Sequence, residues 1–145
     1  MKHLALSFSI CGLLLCAVGC QFSSSEYGHV TGVVNINGQP VEKAVVTFVP
    51  VEGGRAAMAI TQSDGSYELN YTPGVKGAKL GENRVRLSTY IEPSINDNRV
   101  VDKGTPERFP PKFSGGEEVV VTVKSGNNVF EFDAEADRDD YPSRR

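Results

Sequence analysis

From residue 28 onward the chain alternates apolar and polar side chains, and every eight to twelve residues the alternation stops at Gly, Pro, Asn or Asp. A period of two puts successive side chains on opposite faces of an extended strand, and the stops are where the chain turns. No stretch carries a helical period long enough to compete. The expected fold is all-β: seven strands in two antiparallel sheets with Greek-key connections, packed as a sandwich.

The first strand, residues 29–36, puts Val30, Val34 and Ile36 on one face. Asn37-Gly38 follows as a type I′ hairpin turn, because both residues tolerate the positive φ that such a turn needs. Residues 42–49 are apolar on both faces, which predicts a central strand ended by Pro50. A short strand is expected at 58–62 and another at 67–71 after the Asp64-Gly65-Ser66 turn. Pro73-Gly74 marks a further turn, and residues 77–83 lead into a strand with Val85 and Leu87 inward and Arg84, Arg86 and Ser88 outward. Residues 92–116 contain four Pro and no alternation, so an irregular loop is expected there, long enough to suspect a function. The last hairpin should pair 118–124 with 128–134 across Ser125-Gly126-Asn127, leaving 135–145 as a charged tail.

The chain has 3 Cys, 2 His and no Trp, and Cys11, Cys16, Cys20 and His3 all lie at its start. Residues 1–19 combine Lys2, an uncharged run from 4 to 18, and Ala17-Val18-Gly19 ahead of Cys20. That is the layout of a secretory signal and is too short for a comfortable membrane span. The small residues before Cys20 resemble the bacterial lipobox, apart from Ala17 where Leu is commoner. The resemblance implies removal of the leader and acylation of Cys20 with palmitate-type chains. Two or three such chains anchor stably, at about 0.8 kcal/mol per buried methylene. Residues 20–27 then read as lipidated Cys and polar tether. Gln21, not Asp, follows the Cys, so the usual inner-membrane retention signal is missing, which favours the outer membrane or cell surface.

Cleavage before Cys20 would leave one Cys and one His, His29, in the mature chain. Disulfide frameworks, Cys/His zinc sites and two-His metal sites then lack their ligands, and a His-based catalyst would have to use His29 at the edge of the domain. No catalytic residue, metal or cofactor is expected. The mature chain would carry 14 basic and 18 acidic side chains, which gives no electrostatic reason to expect nucleic acid as a partner.

Two runs carry a wider likeness: residues 32–50, from Gly32-Val33-Val34 through Asn37-Gly38-Gln39-Pro40 to Phe48-Val49-Pro50, and residues 61–69, with Asp64-Gly65-Ser66-Tyr67. Together with Pro73-Gly74, Gly81, Pro110-Pro111-Lys112-Phe113 and Ser125-Gly126-Asn127, they resemble the carboxypeptidase regulatory-like domain family across residues 28–134. The resemblance implies a transthyretin-like (prealbumin-like) sandwich. Its motifs are turn and core residues, so they specify fold and not function. The hydroxyisourate hydrolases of that fold are associated with His and Arg residues and a C-terminal Tyr-Arg-Gly-Ser. This chain ends Tyr141-Pro142-Ser143-Arg144-Arg145 and does not match.

Arg84, Arg86 and Tyr90 fall on one strand parity and form the candidate ligand-binding set, since Arg beside an aromatic can grip a carboxylate or stack on a sugar. Tyr71 and the stretch from Phe109 to Phe113 offer aromatics for glycan stacking. Asn96, Asp97, Asn98 and Asp102 are rich in oxygen, but their spacing does not match an EF-hand loop. The expectation is a non-enzymatic, membrane-anchored envelope module with a structural or protein-interaction role. The alternative is an envelope carbohydrate- or peptide-binding module that uses residues 92–116.

Overall fold

The computed structural model describes residues 26–97, 99–115 and 119–136, without the side chain of Arg99. The expected leader, Cys20, the expected tether up to residue 25 and the expected tail beyond Ala136 lie outside the described residues. The fold is all-β, with two sheets closing on one apolar core.

Strand β1 (Tyr27–Ile36) organises the first sheet, and its burial alternates without a break: residues 28, 30, 32, 34 and 36 face inward and their neighbours outward. It pairs antiparallel with β2 (Gln39–Pro40), β5 (Ser66–Glu68) and β8 (Ala78–Lys79), and parallel with β13 (Asn127–Val129) and β14 (Phe132–Ala134). The expected Asn37-Gly38 turn forms, with φ of 50° and 73°. Gly32 is needed for a different reason: a Cβ there would overlap the carbonyl oxygen of Phe130 and crowd the Tyr67 ring.

The second sheet runs in the order β12 (Val120–Val123), β9 (Gly81–Ser88), β3 (Val45–Pro50), β4 (Ala57–Ile60), β6 (Asn70–Thr72), β7 (Val75–Lys76). Val46, Phe48, Val85 and Leu87 point inward and are fully buried, against Val30 and Val34 from β1. Phe48 meets the rings of Phe130 and Phe132, and Phe132 meets Phe113 edge-on, so aromatic contacts join the two sheets.

Several expectations are corrected. Residues 120–123 and 127–134 do not pair as a hairpin: the first segment joins β9 and the second crosses to β1 in parallel. Asn128 explains the arch, since its side chain accepts from the Lys124 N–H and donates to the Lys124 carbonyl, taking the place of a partner strand. Both segments can then turn apolar residues, Val123 and Phe132, into one core. The strand expected at 67–71 splits at Leu69, whose N–H donates to Val30 while its carbonyl accepts from Gly77, so β5 and β6 belong to different sheets. Splits of this kind give fourteen short strand segments among the described residues in place of seven. The strand expected from 42 begins only at Val45, because Lys43 sits at φ 61° in a turn. It is central, but buried on one face alone.

Residues 92–116 are not uniformly irregular. They contain a separate ribbon, β10 (Ser94–Asn96) with β11 (Arg99–Asp102), and a single helical turn, α1 (Pro111–Ser114). Phe109 and Phe113 from this stretch are buried in the core, so they are not a stacking platform for sugars.

Candidate functional site

Strand β9 carries the predicted residues. Its inward positions, Asn83, Val85 and Leu87, are buried, which turns Arg84 and Arg86 to solvent on the same side. Neighbouring strands set their surroundings: Arg84 lies between Val49 and Val120, and Arg86 is opposite Thr47. Arg86 donates from Nε to the Ser114 carbonyl at 2.9 Å, which ties β9 to α1. Arg84 and Arg86 are therefore brought together as expected. Tyr90 lies two residues beyond the end of β9, with its backbone N–H donating to Ser88 Oγ.

At the same end of β9, Glu107 collects a set of donors that local sequence pattern did not reveal. Its carboxylate accepts from Ser88 Oγ at 2.6 Å and from the backbone N–H groups of Thr89, Arg108 and Phe109. Burial alone would raise its pKa, but these donors outweigh it and hold the carboxyl below the usual glutamate range. The cluster fixes the chain that brings Phe109 into the core. No spacing rule links residue 107 to residues 88 and 89, so only the tertiary fold reveals it.

A second cluster joins the outer face of the first sheet to β7 at the edge of the second. His29 Nε2 and Glu68 Oε1 lie 2.7 Å apart, and Lys76 Nζ donates to the other oxygen of Glu68 at 2.6 Å. The hydrogen bond from His29, followed by that from Lys76, lowers the Glu68 pKa. His29 thus has a carboxylate neighbour, on an open sheet face and not in a cleft.

The oxygen-rich stretch is divided. Asp97 sits at φ 48° in the ribbon's turn, Asp102 accepts from the Gly104 N–H as a turn residue, and Asn98 lies outside the described residues. Among the described residues no group of three or more His, Cys, Asp and Glu side chains is close enough to hold a metal. Tyr71 is half-buried, its ring centroid 4.4 Å from that of Tyr27. Asn83 is a polar residue missed on the inner face. Its amide donates to the carbonyls of Lys79 and Gly81, and its Oδ1 has no hydrogen-bond partner.

No protein-family model matches the chain. No curated protein matches it either. One solved structure does, a 9R-lipoxygenase from Cyanothece PCC8801, at 15% sequence identity and a TM-score of 0.45. The match covers 77% of this chain, which spans only 17% of the length of that structure.

Proposed function

We propose that the chain is a lipid-anchored, non-enzymatic β-sandwich module of a bacterial cell envelope, with a structural or protein-interaction role. The observation that carries this reading is the run of residues 1–19 ending at Gly19, followed by Cys20, a short polar stretch and a folded domain. Only six residues separate Cys20 from Tyr27, the first residue of β1. Two acyl chains on Cys20 would hold the domain close to a membrane while leaving it outside the bilayer.

The two ends of β9 support an interaction role. Tyr27 pairs with Lys79 just before β9 starts, whereas the β10–β11 ribbon follows after β9 ends, so the start of β1 and the ribbon lie toward opposite poles. A bulge in the ribbon sets Val100 and Val101 against Ile95, all three exposed. The same ribbon favours peptide binding as a second reading, because β10 and β11 pair with each other and join neither sheet. Radiolabelled palmitate should enter the wild-type chain and not Cys20→Ala. Labelling of neither would remove the anchor, and labelling of both would move it to another residue.

A further inference from the structure

The outer face of the second sheet interleaves exposed aliphatic side chains with Thr47, Asn70, Ser88 and Thr122. Val120 lies beside Arg84, which lies beside Val49; Arg86 lies beside Thr47, which lies beside Met58. In the next row Ile60 stands opposite Val45. Met58 is 51% exposed and Ile60 67%, so aliphatic surface is displayed across neighbouring strands. Two arginines rise from the middle of it. Among the described residues, the acid on β9's outer side is Glu82, opposite Thr122 toward the strand's start, and Glu107 at the Ser88 rim is occupied by its own donors.

We propose that this face rests on an anionic lipid surface, with its aliphatic side chains at the headgroup boundary and Arg84 and Arg86 against lipid phosphates. An apolar face alone would suit any hydrophobic partner, but two cations within it select an anionic one. The arginine stems can lie along the aliphatic surface while the Arg84 guanidinium, and the terminal nitrogens that Arg86 keeps beside its Nε bond to Ser114, pair with phosphate oxygens. A face-to-face contact with a second copy is disfavoured, because a two-fold interface of this patch would set arginines against arginines. The proposal rests on the anchored reading above. With Cys20 in the bilayer, a tether that reaches roughly 20 Å when extended makes contact by this face an intramolecular event, so modest affinity suffices.

The absence of Trp from the sequence allows a clean test. Ile60→Trp places a reporter on the proposed face, and Val129→Trp places one of matched exposure (67% against 66%) on the outer face of the first sheet. The processed, anchored chain is reconstituted in phosphatidylcholine vesicles with or without phosphatidylglycerol, using brominated lipids as quenchers. With phosphatidylglycerol present, the Ile60→Trp reporter should be quenched severalfold more than Val129→Trp. Adding Arg84→Gln and Arg86→Gln should shift docking by roughly tenfold or more and erase the contrast. Equal quenching of the two reporters in a chain that floats with the vesicles would overturn the docking while leaving the anchor intact. A contrast that persists undiminished without phosphatidylglycerol would overturn the anionic selection assigned to Arg84 and Arg86. Shielding of the Ile60→Trp reporter without quenching by lipid would assign the face to a second copy. A chain that fails to float at all would overturn both anchor and docking.

Discussion

The two outer faces of the sandwich are built by the same alternation and finished differently. On the first sheet, Tyr27, Val33 and Val129 share the outer face with His29, Thr31, Asn35 and Glu68, and Glu68 is bound by His29 and by Lys76 from β7 at the edge of the second sheet. On the second, Val45, Val49, Met58, Ile60 and Val120 share the outer face with Thr47, Glu82 and Thr122, and two arginines are exposed among them, Arg86 with its Nε on the Ser114 carbonyl. A face whose charges are mutually satisfied suits water, and a face with exposed aliphatic side chains whose arginines form no ion pair among the described residues suits a surface that supplies both apolar contact and negative charge.

If that contrast is right, inner and outer positions of the second sheet must differ sharply in their effect on stability. Leu87→Ala, on the buried side of β9, should cost about 2–5 kcal/mol in chemical denaturation. Ile60→Ser, on the exposed side of β4, should fall within about 0.5 kcal/mol of wild type in the absence of lipid. A large loss for Ile60→Ser would mean that the outer face belongs to the core after all.

The smaller effect tests the first sheet. Because the Glu68 pKa is lowered in the folded state, its contribution to stability is fully present above the ordinary value of 4.5 and is lost as pH falls through the depressed one. The melting temperature of wild type should exceed that of Glu68→Gln at neutral pH, and the gap should close in acid. The group is exposed, so the gap should be small and should shrink with added salt. A gap that stays constant with pH would show that the cluster is not held by charge.

Much of this was legible in the sequence because alternation reports burial directly. Val30, Val34 and Ile36 on β1, Val85 and Leu87 on β9 and the positive φ at Asn37 and Gly38 all follow from residue type and spacing. Strand partners were less legible. A period of two says which side chains share a face and nothing about which sheet a strand joins, so the arch held by Asn128 read as a hairpin. Phe109 and Phe113 sit among prolines, where no period marks them as core. Arg84 and Arg86 were found as an outward pair, but the aliphatic surface around them comes from β3, β4 and β12. It becomes one patch only once the register is known.

Met58 offers the most direct test of the central claim that the second sheet's outer face lies on the membrane. It is half-exposed on that face and, besides Met1, is the only methionine in the sequence. Oxidation of Met58 to its sulfoxide by dilute peroxide can therefore be followed by mass spectrometry in the native chain, without substitution. Anchored to vesicles containing phosphatidylglycerol, the chain should oxidise at Met58 severalfold more slowly than when released into detergent-free solution by removal of its acylated terminus. Equal rates in the two states would contradict the claim.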